Sequence, residues 1–114
     1  MADGFHYDGY HFMIHVGQYR LDLMAGPGAS SNTASTGEIS PERWEELNFF
    51  SPDVELQLFE LEDGDLKHVA IPSLKDRRIP VTPNQTGFIY GFCTPQDVAD
   101  ALQYAANLAK RGGG

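Results

Sequence analysis

Cysteine is almost absent from this chain of 114 residues, which contains only Cys93. One thiol cannot build an intramolecular disulfide framework, and it excludes every zinc pattern that needs several cysteines. Long apolar runs are also missing, since no window approaches the roughly 20 apolar residues of a membrane-spanning helix. The N-terminal residues lack the basic start and apolar run of a signal peptide, so the sequence predicts a cytoplasmic protein.

Basic residues are scarce too, with 8 Lys and Arg against 16 Asp and Glu and a formal net charge of −8. Phosphates and anionic lipids attract basic surfaces, so we expect neither nucleic acid nor membrane as a partner. The acids concentrate in one block, where only Arg43 opposes them. That block contains ten carboxylates: Glu38, Glu42, Glu45, Glu46, Asp53, Glu55, Glu60, Glu62, Asp63 and Asp65.

The length and an apolar fraction of 41% indicate one domain over residues 1–114 with a core of its own. Residues 25–37 are small, polar and rich in breakers, which predicts a flexible loop. Three consecutive glycines at 112–114 predict a disordered tail.

A first hairpin is predicted around a two-residue turn at Gly17-Gln18. With that turn, the apolar residues of both halves align on an inner face: Phe12, Ile14, Val16, Tyr19, Leu21 and Leu23. The outer row is His11, Met13, His15, Arg20 and Asp22, and it faces either water or another molecule. In a strand, the Cα atoms of His11 and His15 lie about 13 Å apart, so we expect no metal site.

A second hairpin is predicted at Asp63-Gly64, a strong signal for a two-residue turn. Its core-face pairs would be Leu58 with Val69 and Leu56 with Ile71, and Glu60 would face Lys67. Three apolar residues lie on the other face, and we expect either the long loop or another chain to cover them. They are Phe59, Leu61 and Leu66.

Two helices are predicted from their start signals. The first begins at Ser40-Pro41 and ends around residues 48–50, with Ile39 and Trp44 as a hydrophobic staple. The second begins at Thr94-Pro95, where Asp97 completes a capping box, and carries an apolar stripe from Val98 to Ala109.

The segment between the second hairpin and the second helix, residues 72–85, contains Pro72, Pro80 and Pro83. These prolines predict a loop with a short edge strand near residues 79–81. Residues 88–93 are apolar on both faces, which is typical of a central strand. The fold class is therefore α+β, a two-layer sandwich with a mainly antiparallel sheet of about five strands. We expect the order β-β-α-β-β-β-α, with both helices packed on one face.

No motif in the chain names a function. Cys93 directly precedes a helix N-terminus, a position that activates some thiols. A catalytic cysteine also needs a base, and we expect Cys93 instead to be a buried residue packed toward Val98.

We therefore expect a non-enzymatic acidic module (an inhibitor, adaptor or chaperone-like protein) that presents carboxylates to a basic protein partner. It would have no catalytic residues, no metal and no cofactor. One alternative is a small enzyme that uses Cys93 or a histidine in a pocket under residues 25–37. Another is a self-associating structural subunit, that is, a homo-oligomer. The predicted binding residues are Glu42, Glu45, Glu46, Glu60, Glu62, Asp63, Asp65, Phe59, Leu61 and Leu66.

Overall fold

The computed structural model describes residues 3–7, 11–25, 40–46, 52–79 and 87–111. These residues form strands, two α-helices and one 3₁₀ helix. In chain order the elements are β1 (Gly4–Tyr7), β2 (His11–Val16), β3 (Tyr19–Met24), α1 (Pro41–Glu46), β4 (Val54–Glu62), β5 (Asp65–His68), the 3₁₀ helix (Pro72–Arg77), β6 (Tyr90–Cys93) and α2 (Pro95–Arg111).

The first predicted hairpin is confirmed with its register. Val16 pairs with Tyr19, Ile14 with Leu21 and Phe12 with Leu23. Gly17 has a φ of +58°, a left-handed conformation that glycine adopts without a Cβ penalty.

Strand β1 is absent from the sequence prediction. It pairs antiparallel with β2, placing Phe5 opposite Ile14 and Tyr7 opposite Phe12. Phe5 stacks on Phe12 with ring centroids 5.7 Å apart, yet remains 74% exposed. The four-residue strand is too short for a clear alternation, and residues 8–10, which join it to β2, lie outside the described part.

Strands β1 to β5 lie side by side in chain order, and every pairing is antiparallel. The nine-residue β4 is long enough to carry two neighbours along its second edge. Its C-terminal half pairs with β5, and its N-terminal half pairs with β6.

The second hairpin follows the predicted register only near its turn. Glu60 faces Lys67, and the Val69 amide donates to the Leu58 carbonyl at 2.8 Å. Leu56 pairs with Tyr90, so the predicted pair with Ile71 was wrong. The chain leaves β4 there because Pro72 lacks an N–H and opens the 3₁₀ helix.

Residues 72–85 thus contain a 3₁₀ helix that was not predicted. Of the edge strand predicted near residues 79–81, only Ile79 is described: its amide donates to the Ile89 carbonyl at 2.8 Å, next to a bridge between Arg78 and Tyr90. Residues 80–86 lie outside the described part. The predicted strand over 88–93 begins at Tyr90 and contains a bulge, where Phe92 has a φ of +56°.

Helix α2 begins as predicted. The Thr94 amide donates to Asp97 Oδ2 at 2.9 Å, and the Asp97 amide donates to Thr94 Oγ1 at 3.2 Å, which forms the predicted capping box. Its small residues let the helix lie close to the sheet. The buried ones are Ala101, Ala105 and Ala109.

The core lies between α2, the 3₁₀ helix and one face of the sheet. Its fully buried side chains include Tyr90, Leu21, Leu56, Leu58, Ile71, Leu74 and Cys93. The predicted α+β class, antiparallel sheet and C-terminal helix are confirmed. Helix α1 also begins at Pro41 as predicted, but its proposed end, its Trp44 staple and the segments 26–37 and 112–114 lie outside the described features.

Candidate functional site

The β4–β5 turn is the local structure that displays the predicted acidic site. Asp63 has a φ of +51° and Gly64 a φ of +84°, and two positive φ values in succession define a type I′ turn. Asp-Gly suits this turn because aspartate tolerates the left-handed region and glycine has no Cβ. The turn projects its carboxylates from the end of the sheet.

Three of the four predicted turn acids are exposed: Glu62, Asp63 and Asp65. We call them the tip acids. Lys67 pairs with Glu62, with Nζ 3.1 Å from Oε2, although its residue partner across the ladder is Glu60. Both charged ends of that pair are more than half exposed, so the pair leaves the tip predominantly negative.

Glu60 has a different role from the tip acids. It is half-buried and accepts a hydrogen bond from the Tyr19 hydroxyl. Burial of Tyr19 and, to a smaller extent, the charge of Glu60 raise the pKa of the phenol above its ordinary value. Glu60 therefore stabilises the junction of β3 and β4 and contributes less to the open surface.

The three predicted apolar contacts differ in exposure. Phe59 is buried within the chain, where the Arg20 guanidinium lies 5.2 Å from its ring centroid and the His68 ring 4.6 Å. Leu61 is half-buried, whereas Leu66 is 42% exposed. Leu66 is therefore the main apolar surface residue of this hairpin.

A recess separates the two hairpin turns on the outer face of the sheet. It has a volume of about 290 Å³ and is lined by His15, Gln18, Tyr19, Arg20, Leu61, Gly64 and Leu66. A second groove beside it, of about 460 Å³, adds Gly17 and Asp63 to its lining. Among the tip acids, Asp63 lines this concave surface, together with Leu61.

The cationic wall of this recess was not found from the sequence. Arg20 donates from Nε and Nη2 to the two carboxylate oxygens of Asp22, at 2.7 and 2.8 Å. Asp22 is only 3% exposed, and His11 Nε2 lies 3.1 Å from Asp22 Oδ2. A bidentate partner makes a buried carboxylate tolerable, and it also fixes the guanidinium in place.

The outer row of the first hairpin is consequently not a simple water-facing surface. Met13 and Asp22 are both buried. The signal that could have indicated this was the spacing of Arg20 and Asp22, two residues apart and hence on one face of a strand.

The acids of α1 form a separate group. Glu42, Glu45 and Glu46 are exposed, and in the described chain α1 makes no extensive contact with β4 or β5. The structure therefore does not join these acids to the tip acids in one surface.

Cys93 is fully buried. Burial, and to a smaller extent the charge of Asp97, raises the pKa of its thiol to about 12. This cysteine is therefore almost wholly protonated at neutral pH. It lacks the thiolate, which is the nucleophilic form. Among the residues the structure describes, no three His, Cys, Asp or Glu side chains are grouped so as to hold a metal ion.

In comparisons with known proteins, the chain matches no family model, no curated protein and no solved structure. No helix in the described ranges is long and apolar enough to cross a membrane. Any function assigned to the chain therefore rests on its own residues.

Proposed function

We propose that this protein is a non-enzymatic binding module whose β4–β5 hairpin end receives a basic partner protein. One observation supports this most directly: three exposed carboxylates cluster at the β4–β5 turn, where Asp63 and Leu61 line a groove that adjoins the recess lined by Leu61 and Leu66. Charged groups at a rim steer encounter, and apolar groups at the centre supply affinity, which is the usual division in protein interfaces.

The charge of the whole chain supports the same proposal. A net charge of −8 attracts cationic partners over a distance of about one Debye length, roughly 8 Å at physiological salt. Contacts between exposed charges are individually weak, about 0.2–1 kcal/mol each. Three tip acids would therefore contribute about 0.6–3 kcal/mol, and the leucines would have to supply much of the remainder.

The two alternatives receive less support. An enzyme based on Cys93 would need a thiolate, and burial disfavours that form. An enzyme based on a histidine would need a pocket under residues 25–37, nearly all of which lie outside the described residues. Self-association through the outer face of the second hairpin would use Phe59, Leu61 and Leu66. Because Phe59 is already covered by Arg20 and His68, only part of that apolar row remains for a second copy.

The test compares three immobilised proteins in capture from a lysate, followed by mass spectrometry and rebinding of the purified partner. The first is the unaltered chain. The second, the tip-neutral variant, combines Glu62→Gln, Asp63→Asn and Asp65→Asn, and asparagine at 63 keeps the turn favourable. The third, the α1-neutral variant, combines Glu42→Gln, Glu45→Gln and Glu46→Gln and removes the same charge elsewhere.

We expect a basic partner to bind the unaltered and α1-neutral proteins and to be lost from the tip-neutral one. Equal rebinding of the purified partner to the unaltered and tip-neutral proteins would contradict the proposed site. Equal loss in both variants would also contradict it, because net charge rather than the hairpin end would then govern binding.

A further inference from the structure

Strand β5 lies at the end of the strand order, and in the described chain only β4 pairs with it. Such an edge presents backbone N–H and C=O groups to solvent, and it can accept another extended chain. The turn and the register of β4 with β5 determine which residues of β5 present those groups.

In an antiparallel pair, hydrogen-bonded and non-bonded residue pairs alternate. The two-residue turn makes Glu62 and Asp65 a bonded pair, so Glu60 and Lys67 form the next one. The hydrogen bond from the Val69 amide to the Leu58 carbonyl continues the same series. Leu61 and Leu66 are therefore a non-bonded pair, and the N–H and C=O of Leu66 point away from β4.

The two faces of this edge differ in chemistry. Leu66 lies on the outer face, beside the recess whose wall includes Leu61 and the Arg20 guanidinium. The opposite face holds Asp65, Glu62 and Glu60 together with Lys67, so three carboxylates outnumber one ammonium there. A strand added to β5 would thus place alternate side chains against leucine and against carboxylate. On the outer face the nearest side chains of β4 and β5 are Leu61 and Leu66, which have no charge to pair with a basic side chain, and this disfavours the reversed register.

We propose that β5 receives an extended segment of the partner as an added strand, in which apolar and basic residues alternate. This inference rests on the proposed function, and it names both the mode of binding and the sequence pattern of the partner. Backbone bonds to Leu66 would give the register, and the two faces would give specificity.

The probe is the octapeptide acetyl-(Lys-Val)₄-amide, titrated into ¹⁵N-labelled protein and followed by amide chemical shifts. The control peptide, acetyl-Lys₄-Val₄-amide, has the same composition and charge in blocks. We expect the shifts to concentrate on residues 65–68, and the block peptide to bind at least tenfold more weakly. Absence of binding by the alternating peptide, or equal binding by the block peptide, would overturn the inference.

A protein variant tests the backbone contact. Leu66→Pro removes an N–H that takes no part in the β4 ladder, whereas Leu66→Ala removes side-chain atoms and keeps the N–H. We expect Leu66→Pro to bind the alternating peptide at least fivefold more weakly than Leu66→Ala. Equal affinities would overturn strand addition.

Two N-methylated peptides make the test independent of any effect of proline on folding. One carries methyl groups on the valine amides and the other on the lysine amides. Strand addition predicts that one form binds like the parent and the other at least tenfold more weakly, because only alternate N–H groups face β5. Full binding by both forms would overturn strand addition, and the capture experiment with the tip-neutral variant would still decide the proposed function separately.

Discussion

The buried thiol of Cys93 makes the stability of the fold depend on pH in the alkaline range. Its pKa is raised from an ordinary 9.0 to about 12, chiefly by burial. The folded state therefore holds the thiol proton to a higher pH than the unfolded state does. This contribution is complete below pH 9, and it is lost as the pH rises from 9 toward 12.

The size of the effect follows from the proton linkage. Each pH unit between the two pKa values removes about 1.4 kcal/mol from the free energy of unfolding. At pH 10.5 the loss from Cys93 is therefore about 2 kcal/mol relative to pH 8. Cys93→Ala removes the titrating group, at a cost at pH 8 of about 1–2 kcal/mol for the lost buried sulfur.

Urea unfolding of both proteins at pH 8 and pH 10.5 gives the comparison. Tyr19, whose pKa is also raised, is present in both proteins, so its effect cancels in the difference. We expect the unaltered protein to lose about 2 kcal/mol more than Cys93→Ala over this interval. Equal losses would refute the assignment of a buried, protonated thiol, and rapid labelling by iodoacetamide at pH 8 would refute it independently.

Three substitutions test packing elsewhere, each by urea unfolding. Gly87→Ala would place a Cβ 3.0 Å from His68 Nε2, and we expect a cost of about 1–3 kcal/mol. That cost should shrink in a His68→Ala background, and an unchanged cost would contradict the close packing. Asp22→Ala should cost about 1–3 kcal/mol because the partly exposed Arg20 guanidinium loses its bidentate partner, and a cost below about 1 kcal/mol would show that the pair is unimportant. Thr94→Ala should cost about 1 kcal/mol through loss of the helix cap, while Thr94→Ser should cost much less; equal costs would contradict the capping role.

Local rules were sufficient for the elements whose partners are close in sequence. The register of β2 and β3 follows from one glycine turn and a strict alternation of apolar residues. The cap of α2 follows from Thr94 and Asp97.

Long-range pairing was beyond these rules. The hairpin pattern predicted Leu56 opposite Ile71, but the chain leaves β4 at Pro72 and Tyr90 from a distant segment takes that place. Sequence also could not show which outer-face residues are covered. Alternation places Arg20 and Asp22 together on that face, but only the sheet brings His11 to Asp22, and the pattern does not show that Asp22 is buried.

The candidate site was predicted in part. The exposed acids at the turn follow from the Asp-Gly signal and the charge block. The recess beside them was not foreseeable, because it is formed by two turns that are more than forty residues apart, at Gly17-Gln18 and Asp63-Gly64.

The most direct test of binding at the hairpin end is the affinity of the tip-neutral and α1-neutral variants for the fluorescently labelled alternating octapeptide, measured by anisotropy at 100 mM salt. The two variants carry the same net charge and differ only in where the three carboxylates were removed. A hairpin-end site predicts at least a tenfold loss of affinity in the tip-neutral variant and less than a twofold change in the α1-neutral one. Equal affinities in the two variants would contradict it.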